Sequence, residues 1–261
     1  MNERPLILIS NDDGYAAKGL ESLTEMLRPI GNIVVVAPDG GRSGASLSIT
    51  SREPVRVNTI KEEEGLKVYS CSGTPCDCVK IAFEKILERD PDLVLSGINH
   101  GDNAAINAHY SGTVAVATEG AMKGIPSIGF SCCRTDKDAD FSPLTTYIQD
   151  IVRRTLCDGL PQSVCLNVNF PDADTFAGVK LCRMGGGEWI NEWEERKDPR
   201  GKTYYWLTGS FESGDKVCDD TDLWAMQHGY IAITPLQLDL TAYDAFEQLQ
   251  ATLGASTNLT F

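Results

Sequence analysis

Basic residues are scarce in this sequence. Twenty-three Lys and Arg stand against 37 Asp and Glu, a formal net charge of −14. That balance argues against non-specific binding to nucleic acid, because no cationic face is evident for a phosphate backbone. Histidine is scarcer still: His100, His109 and His228 are the three. Little material is left for acid–base pairs built on imidazole. No apolar run approaches the ~20 residues of a membrane span, so no membrane partner is expected. The first residues hold no apolar h-region with a cleavage site. The nine cysteines are an odd number, and together with that start they lead to the expectation of reduced thiols in the cytoplasm. Cys71, Cys76 and Cys78 lie close together and Cys132-Cys133 are adjacent, but no second Cys or His pair stands at zinc-site spacing. Buried, inert thiols are the reading taken.

What is present is a soluble-enzyme composition, 42% hydrophobic and 23% charged over 261 residues. That length can bury a large core, as one α/β domain or one domain with an appended piece. The chain is organised around Pro5-Leu6-Ile7-Leu8-Ile9-Ser10, a short uncharged apolar run. Such a run reads as a strand buried on both faces in the middle of a parallel sheet. It stops at Asn11-Asp12-Asp13-Gly14. In open α/β sheets ligands bind outside the carboxyl ends of strands, where this acidic pair lands. Two adjacent carboxylates repel, and a cation or a shared proton relieves them. Asn, Asp and Gly are also good turn residues, and these four support a turn and a metal site equally.

Strand and helix patterns alternate onward. Residues 18–29 read as a helix ended by Pro29 and Gly31, and Asn32–Ala37 as a second buried strand. The loop Pro38–Ser46 follows, with Arg42 and Ser43 among glycines; it suits a metal or a phosphate, or is a surface turn. Residues 54–58 and 66–70 predict a hairpin or pair of edge strands around a solvated turn at Lys61–Gly65. Thr74 and Pro75 begin a helix as N-cap and first helical residue. Asp92–Leu95 is the next strand, running into a polar loop, Ser96–Asn103. Tyr110-Ser111-Gly112-Thr113 opens a helix to Met122; free N–H groups, two hydroxyls and the positive dipole end make an anion site, or Ser111 and Thr113 merely cap the helix. Strand 127–131, helix 143–157 and strand 164–169 complete the alternation, which predicts a doubly wound sheet covered on both faces. Residues 179–218 then look extended and aromatic, with Trp189, Trp193 and Trp206. An exposed aromatic hairpin needs a partner surface, so a homo-oligomer burying this arm is expected. A short helix at 221–228, a strand at 230–234 and a helix at 243–253 close the chain.

Three strand ends thus deliver Asp12, Asp13, Ser43 and Asn99 to one rim, with Ser111, Gly112 and Thr113 close by. Carboxylates with neutral oxygens suit one hard divalent cation, Mg²⁺, Mn²⁺ or Ca²⁺, rather than zinc. A cation beside an anion-binding helix end fits a phosphate monoester, and it would reverse the sign of an acidic surface locally. Phosphoryl transfer asks mainly for charge neutralisation, so the shortage of histidine is tolerable. His109 is a candidate to protonate a leaving alcohol, with hydrogen-bonding spacer as the ordinary alternative. A receiver-like phospho-signalling module also places an acidic pair after strand one. It needs an Asp where Ser96 and Gly97 stand, and it is about half this size. A dinucleotide-binding dehydrogenase would need a Gly-rich fingerprint that the acidic first loop lacks.

Several stretches in order resemble the SurE family of stationary-phase survival proteins, metal-dependent nucleoside 5'-monophosphate phosphatases. They are Ile9–Gly14, Val36–Asp39 with Arg42–Ser46, Gly73-Thr74-Pro75, Ser96-Gly97-Ile98-Asn99 with Gly101 and Asn103, and Tyr110–Val114. The likeness continues through Asp198–Gly201 and Ile233–Leu236, nearly the whole chain. The resemblance implies one divalent cation on Asp12, Asp13, Ser43 and Asn99, and catalytic roles for Asp12, Asp13 and Asn11. It implies phosphate or substrate contacts from Asn11, Gly44, Ser111, Gly112 and Thr113. It assigns nothing to His100 or Asp102. It further implies a Rossmann-like three-layer α/β/α fold with a mostly parallel sheet and a C-terminal extended hairpin for oligomerisation, as dimer or tetramer. On this reading residues 1–175 form the catalytic core, and 176–261 the aromatic hairpin and oligomerisation elements closing on the same domain. The expected reaction is hydrolysis of nucleoside 5'-monophosphates to nucleoside and phosphate, with activity extending to 3'-nucleotides and short polyphosphate.

Overall fold

A computed structural model describes residues 4–136, 138–214 and 218–257. Strand β1 (Leu6–Ser10) is followed by helix α1 (Lys18–Leu27) and β2 (Asn32–Pro38). Next come β3 (Val57–Glu63), β4 (Leu66–Cys71), α2 (Pro75–Ile81), β5 (Leu93–His100), α3 (Gly112–Met122) and β6 (Ser127–Cys132). Helix α4 (Thr145–Asp158), β7 (Val164–Phe170), β8 (Gly178–Leu181), β9 (Gly187–Ile190), β10 (Trp193–Lys197), β11 (Thr203–Leu207) and β12 (Ser210–Ser213) precede α5 (Asp222–Gln227), β13 (Tyr230–Gln237) and α6 (Phe246–Thr257).

Nine strands form one sheet in the order β3-β4-β2-β1-β5-β6-β7-β13-β8. From β4 to β7 every neighbour is parallel. The antiparallel pairs are β3 with β4 and β13 with β7. The fold is the Rossmann-like α/β arrangement expected. Strand β1 shows why both faces are covered. Alternate side chains leave opposite faces, so Ile7 and Ile9 join Leu20, Leu23 and Leu27 of α1 and Ile148 and Val152 of α4. Leu8 instead joins Val34, Val36, Val79 of α2 and Val116 of α3. Burial of both sets holds the three layers together.

Two elements differ from expectation. The acidic stretch Lys61–Glu63 lies within β3, not in a turn, and only Glu64 and Gly65 separate it from β4. Strand β3 is the sheet edge, and its charges are neutralised by Arg28–Glu63 at 2.7 Å and Lys67–Glu62 at 3.3 Å. A charged edge strand resists pairing with another chain. Its partner β4 is not an edge, since β2 pairs along its other side. Likewise Ser96–His100, expected as loop, continues β5 and stays paired with β6 through His100 opposite Cys132, with a register shift after Ser96. At Gly97 an added Cβ would lie 2.1 Å from the Phe130 carbonyl oxygen, so only glycine lets the strands approach there.

Strand order runs β1, β2, β4 in one direction and β5, β6, β7 in the other. The reversal lies between β1 and β5, and the crevice at their carboxyl ends is where such sheets bind ligands. The chain beyond Gly178 places β8 and β13 in the same sheet, while β9 pairs with β12 and β10 with β11 as separate two-stranded ribbons.

Candidate active site

At the end of β1 the chain turns sharply, and Asn11 makes the turn. Its amide nitrogen donates to the Gly14 carbonyl and its amide oxygen accepts from the Gly14 N–H, both at 3.1 Å. Asn11 is fully buried, and both ends of its side chain are engaged in shaping the loop. That geometry carries Asp12 inward to 4% exposure. Thr113 Oγ1 donates to Asp12 Oδ1 at 2.6 Å, across 101 residues of sequence. The Asp12 carbonyl accepts from the Arg42 N–H at 2.7 Å, which ties the loop after β2 to the acidic pair. The Arg42 guanidinium meets Asp39 at 3.0 Å and the Ser72 carbonyl at 3.2 Å, so its charge is engaged away from the pair.

Helix α3 packs its N-terminus on Asp12. Ser111 is the N-cap, its Oγ accepting from the Val114 N–H at 3.0 Å. Gly112 follows because nothing larger fits: a Cβ there would stand 2.6 Å from Asp12 Cβ. On β5, the Asn99 amide nitrogen donates to the Gly101 carbonyl at 2.9 Å, which leaves its amide oxygen as the free end.

Burial pushes the Asp12 carboxyl up to about 6, with the Asp13 charge adding to it and the Thr113 hydroxyl opposing. Burial raises Asp13 as well, against the lowering influence of His100 through its charge and its backbone hydrogen bond. Asp13 Oδ2 is buried with no hydrogen-bond partner among the described residues. An orphaned carboxylate oxygen in an acidic pair is poorly placed unless a cation satisfies it. Among the described residues no three His, Cys, Asp or Glu side chains gather as a metal cluster. The donor set is instead two carboxylates and neutral oxygens, which fits a hard divalent cation.

A cavity of about 500 Å³ opens on this edge, lined by Asp12, Ser43, Gly44, Asn99, Ser111 and residues from three further segments. Of the residues expected at the site, Ser43 and Gly44 lie on the exposed loop after β2 and face this cavity. Asn11, Asp13, Gly112 and Thr113 do not line it; they stand behind Asp12 or beside it. Ser111 caps the helix with its hydroxyl, whereas the Thr113 hydroxyl donates to Asp12 and makes no cap. His109 is exposed and outside the cavity wall.

Sequence reasoning missed several wall residues. His100 lines the cavity with its ring edge-on to Phe141 at 5.1 Å. Asn103 and Asn107 come from the segment before α3, and Trp189, Glu192, Leu207 and Thr208 from the aromatic arm. Asn103 sits in a buried amide network: its N–H donates to Asn169 Oδ1 and its Nδ2 to Ser131 Oγ, both at 2.8 Å, and its carbonyl accepts from Asn167 at 2.8 Å. Asp222, fully buried, accepts from the N–H groups of Ala105 and Gly185, each at 2.9 Å, and so joins that segment to the start of the arm. The polar Asn167-x-Asn169 inside an apolar strand was the one local signal of this network.

The chain is similar to known proteins over nearly its whole length. The family model described as Survival protein SurE matches residues 7–191. A protein named 5'-nucleotidase SurE from Phocaeicola vulgatus is 53% identical over 248 residues, 95% of this chain and 96% of its own length. Its namesake from Bacteroides thetaiotaomicron is 51% identical over the same shares. The crystal structure of SurE protein from Aquifex aeolicus superposes with a TM-score of 0.81 at 39% identity, covering 95% of this chain and all of that one.

Proposed function

The chain belongs to the SurE family, and on that premise we propose that it is a metal-dependent phosphomonoesterase that hydrolyses nucleoside 5'-monophosphates to nucleoside and phosphate. The observation that carries the reading is the acidic pair at the sheet's switch point, with Asp13 Oδ2 buried and unpartnered and neutral oxygens of Ser43 and Asn99 supplied by neighbouring strand ends. One divalent cation, Mg²⁺, Mn²⁺ or Ca²⁺, held by Asp12, Asp13, Ser43 and Asn99 would supply charge neutralisation at the phosphoryl oxygens.

The chain's own residues do the rest. Asn11 fixes the loop, and Thr113 fixes the Asp12 carboxylate so that one oxygen is spoken for and the other is directed. The N-terminus of α3 places its positive dipole end beside that carboxylate, favouring a dianionic ester. Gly112 lets the helix start pack directly on Asp12, and the proposed phosphate contacts come from Asn11, from that Ser111–Thr113 start and from Gly44, where the backbone is open. Family membership favours this hydrolase over a receiver-like module. Activity on 3'-nucleotides and short polyphosphate belongs to the same reading, since each presents a terminal phosphate. So do a homodimer or homotetramer through the C-terminal region and a cytoplasmic location, which nine free thiols support.

Purified protein should hydrolyse nucleoside 5'-monophosphates, lose that activity in EDTA and regain it with Mn²⁺ or Mg²⁺. Asp13→Asn and Asp12→Ala should lower kcat by about 10² or more in folded protein, because the charge that holds the cation is removed. Turnover indifferent to chelator, or near-normal turnover in the folded variants, would overturn the reading.

A further inference from the structure

We infer that Trp189 is the base-recognition wall of the site, so that the substrate is selected as an aromatic nucleotide rather than as any phosphate ester. The inference rests on the nucleotidase reading and extends it to another wall of the same cavity. Trp189 lines the cavity that Asp12 and Ser43 also line, yet it comes from β9, more than 175 residues along the chain from the acidic pair.

Its ring is held at two points. Nε1 donates to Asn107 Oδ1 at 2.9 Å, and Asn107 itself lines the cavity. The ring also meets Phe211 at 5.8 Å and 67°, an edge-to-face contact between residues directly opposite each other in the β9–β12 ribbon. Gly187 makes room for that contact, since a Cβ there would lie 2.4 Å from the Phe211 ring. An indole with its only polar atom engaged lines the cavity with apolar ring surface. Because the ring is already fixed, little rotamer freedom is lost when a ligand stacks on it. Asn99, Asn103 and Ser111 supply polar groups to the wall, and Leu207 and the rings of His100 and Tyr110 also line it. A cavity that holds carboxylate and hydrogen-bonding groups and an indole pinned at two points suits a ligand with an anionic head and a planar heterocycle. Asn107 acts through the indole and is a positioning residue.

The test compares adenosine 5'-monophosphate with ribose 5-phosphate, which keeps the phosphate and sugar and removes the base. In Trp189→Ala the ratio of kcat/KM for the nucleotide over the sugar phosphate should fall about tenfold to a hundredfold, through KM for the nucleotide. Trp189→Phe should keep most of the ratio, and Asn107→Ala should lower it in the same direction. A direct readout accompanies this: adenosine should quench tryptophan fluorescence in the wild type and in Trp193→Phe but not in Trp189→Phe. An unchanged ratio in folded Trp189→Ala, or equal losses on both substrates, would overturn the inference while leaving the nucleotidase reading intact. If the wild type hydrolyses neither ester, the nucleotidase reading fails. The adenosine quench then decides the inference alone, its presence and its loss with Trp189 supporting it and its absence sinking it.

Discussion

Gly112 is the residue whose identity the site tolerates least. It stands first in α3, where alanine would be the better helix former by about 1 kcal/mol. The added methyl, however, would fall 2.6 Å from Asp12 Cβ, a distance that real Cβ atoms essentially never show. Either α3 or the Asp12 loop must move, and a displacement of about 1 Å at a reacting group can cost 10²-fold in rate. Gly112→Ala should therefore lower kcat by about 10² with its far-UV circular dichroism unchanged. Gly40→Ala is the control, since a Cβ there meets nothing within 4 Å, and it should stay within about twofold of wild type. Equal activity in both variants would show that α3 does not position Asp12.

At the scale of the element, α2 shows how much of its start rests on one reciprocal pair. Thr74 Oγ1 accepts from the Asp77 N–H at 3.2 Å, and Asp77 accepts from the Thr74 N–H at 2.9 Å. The same carboxylate accepts from the Thr50 N–H at 3.1 Å, stapling the end of the loop after β2 to this helix. Burial works to raise the Asp77 carboxyl, but the hydrogen bonds from Thr50 and Thr74 hold it below the usual carboxylate value. A group lowered in the folded state stabilises fully above its unfolded pKa, and that contribution is lost as pH falls through its folded pKa. Asp77→Asn should thus be less stable than wild type near pH 7, by about 1 kcal/mol as for other lost caps. The gap should close as the pH falls below about 4, the ordinary Asp pKa. Thermal unfolding at pH 7 and pH 3 reads both; a gap independent of pH would remove the charge from the argument. The edge strand β3 is a second lesson at this scale. Lys61–Glu63 has the composition of a turn, but at a sheet edge strand geometry leaves such side chains in water, so local composition does not separate the two.

For the whole molecule, the β10–β11 ribbon leaves its aromatic side chains in solvent. Trp193 is 64% exposed and Trp206 56% exposed, and Tyr204 and Tyr205, also exposed, continue along the same strand as Trp206. Solvent-facing aromatics in such density mark an interaction surface, and the proposed partner is a second copy of this chain. The double variant Tyr204→Glu with Trp206→Glu alters one face of the ribbon. Sedimentation velocity should find the wild type as a dimer or tetramer and this variant as a monomer, and an unchanged sedimentation coefficient would contradict the assembly. No helix among the described residues is long and apolar enough to cross a membrane, so the patch is not part of such a span.

What could be read in advance follows the range of the forces involved. Apolar runs at Ile7–Ile9 and Val34–Val36, the punctuation by Gly and Pro, and the cap at Thr74 are local, and each predicts its element from neighbours in the chain. The alternation of strands and helices then places Asp12, Ser43 and Asn99 on one sheet edge, because parallel crossovers leave all strand ends of one sense together. Periodicity is silent about pairs distant in sequence. Whether the Thr113 hydroxyl serves a phosphate or Asp12, whether Ser96–His100 leaves the sheet or stays in it, and whether Trp189 faces a partner or the cavity were decided by packing. Such contacts form only where the folded layers offset the entropy of closing long loops, and that balance belongs to the tertiary structure. The sequence by itself determined the sheet and the acidic rim; the cavity that gathers distant segments around that rim exists only through the fold.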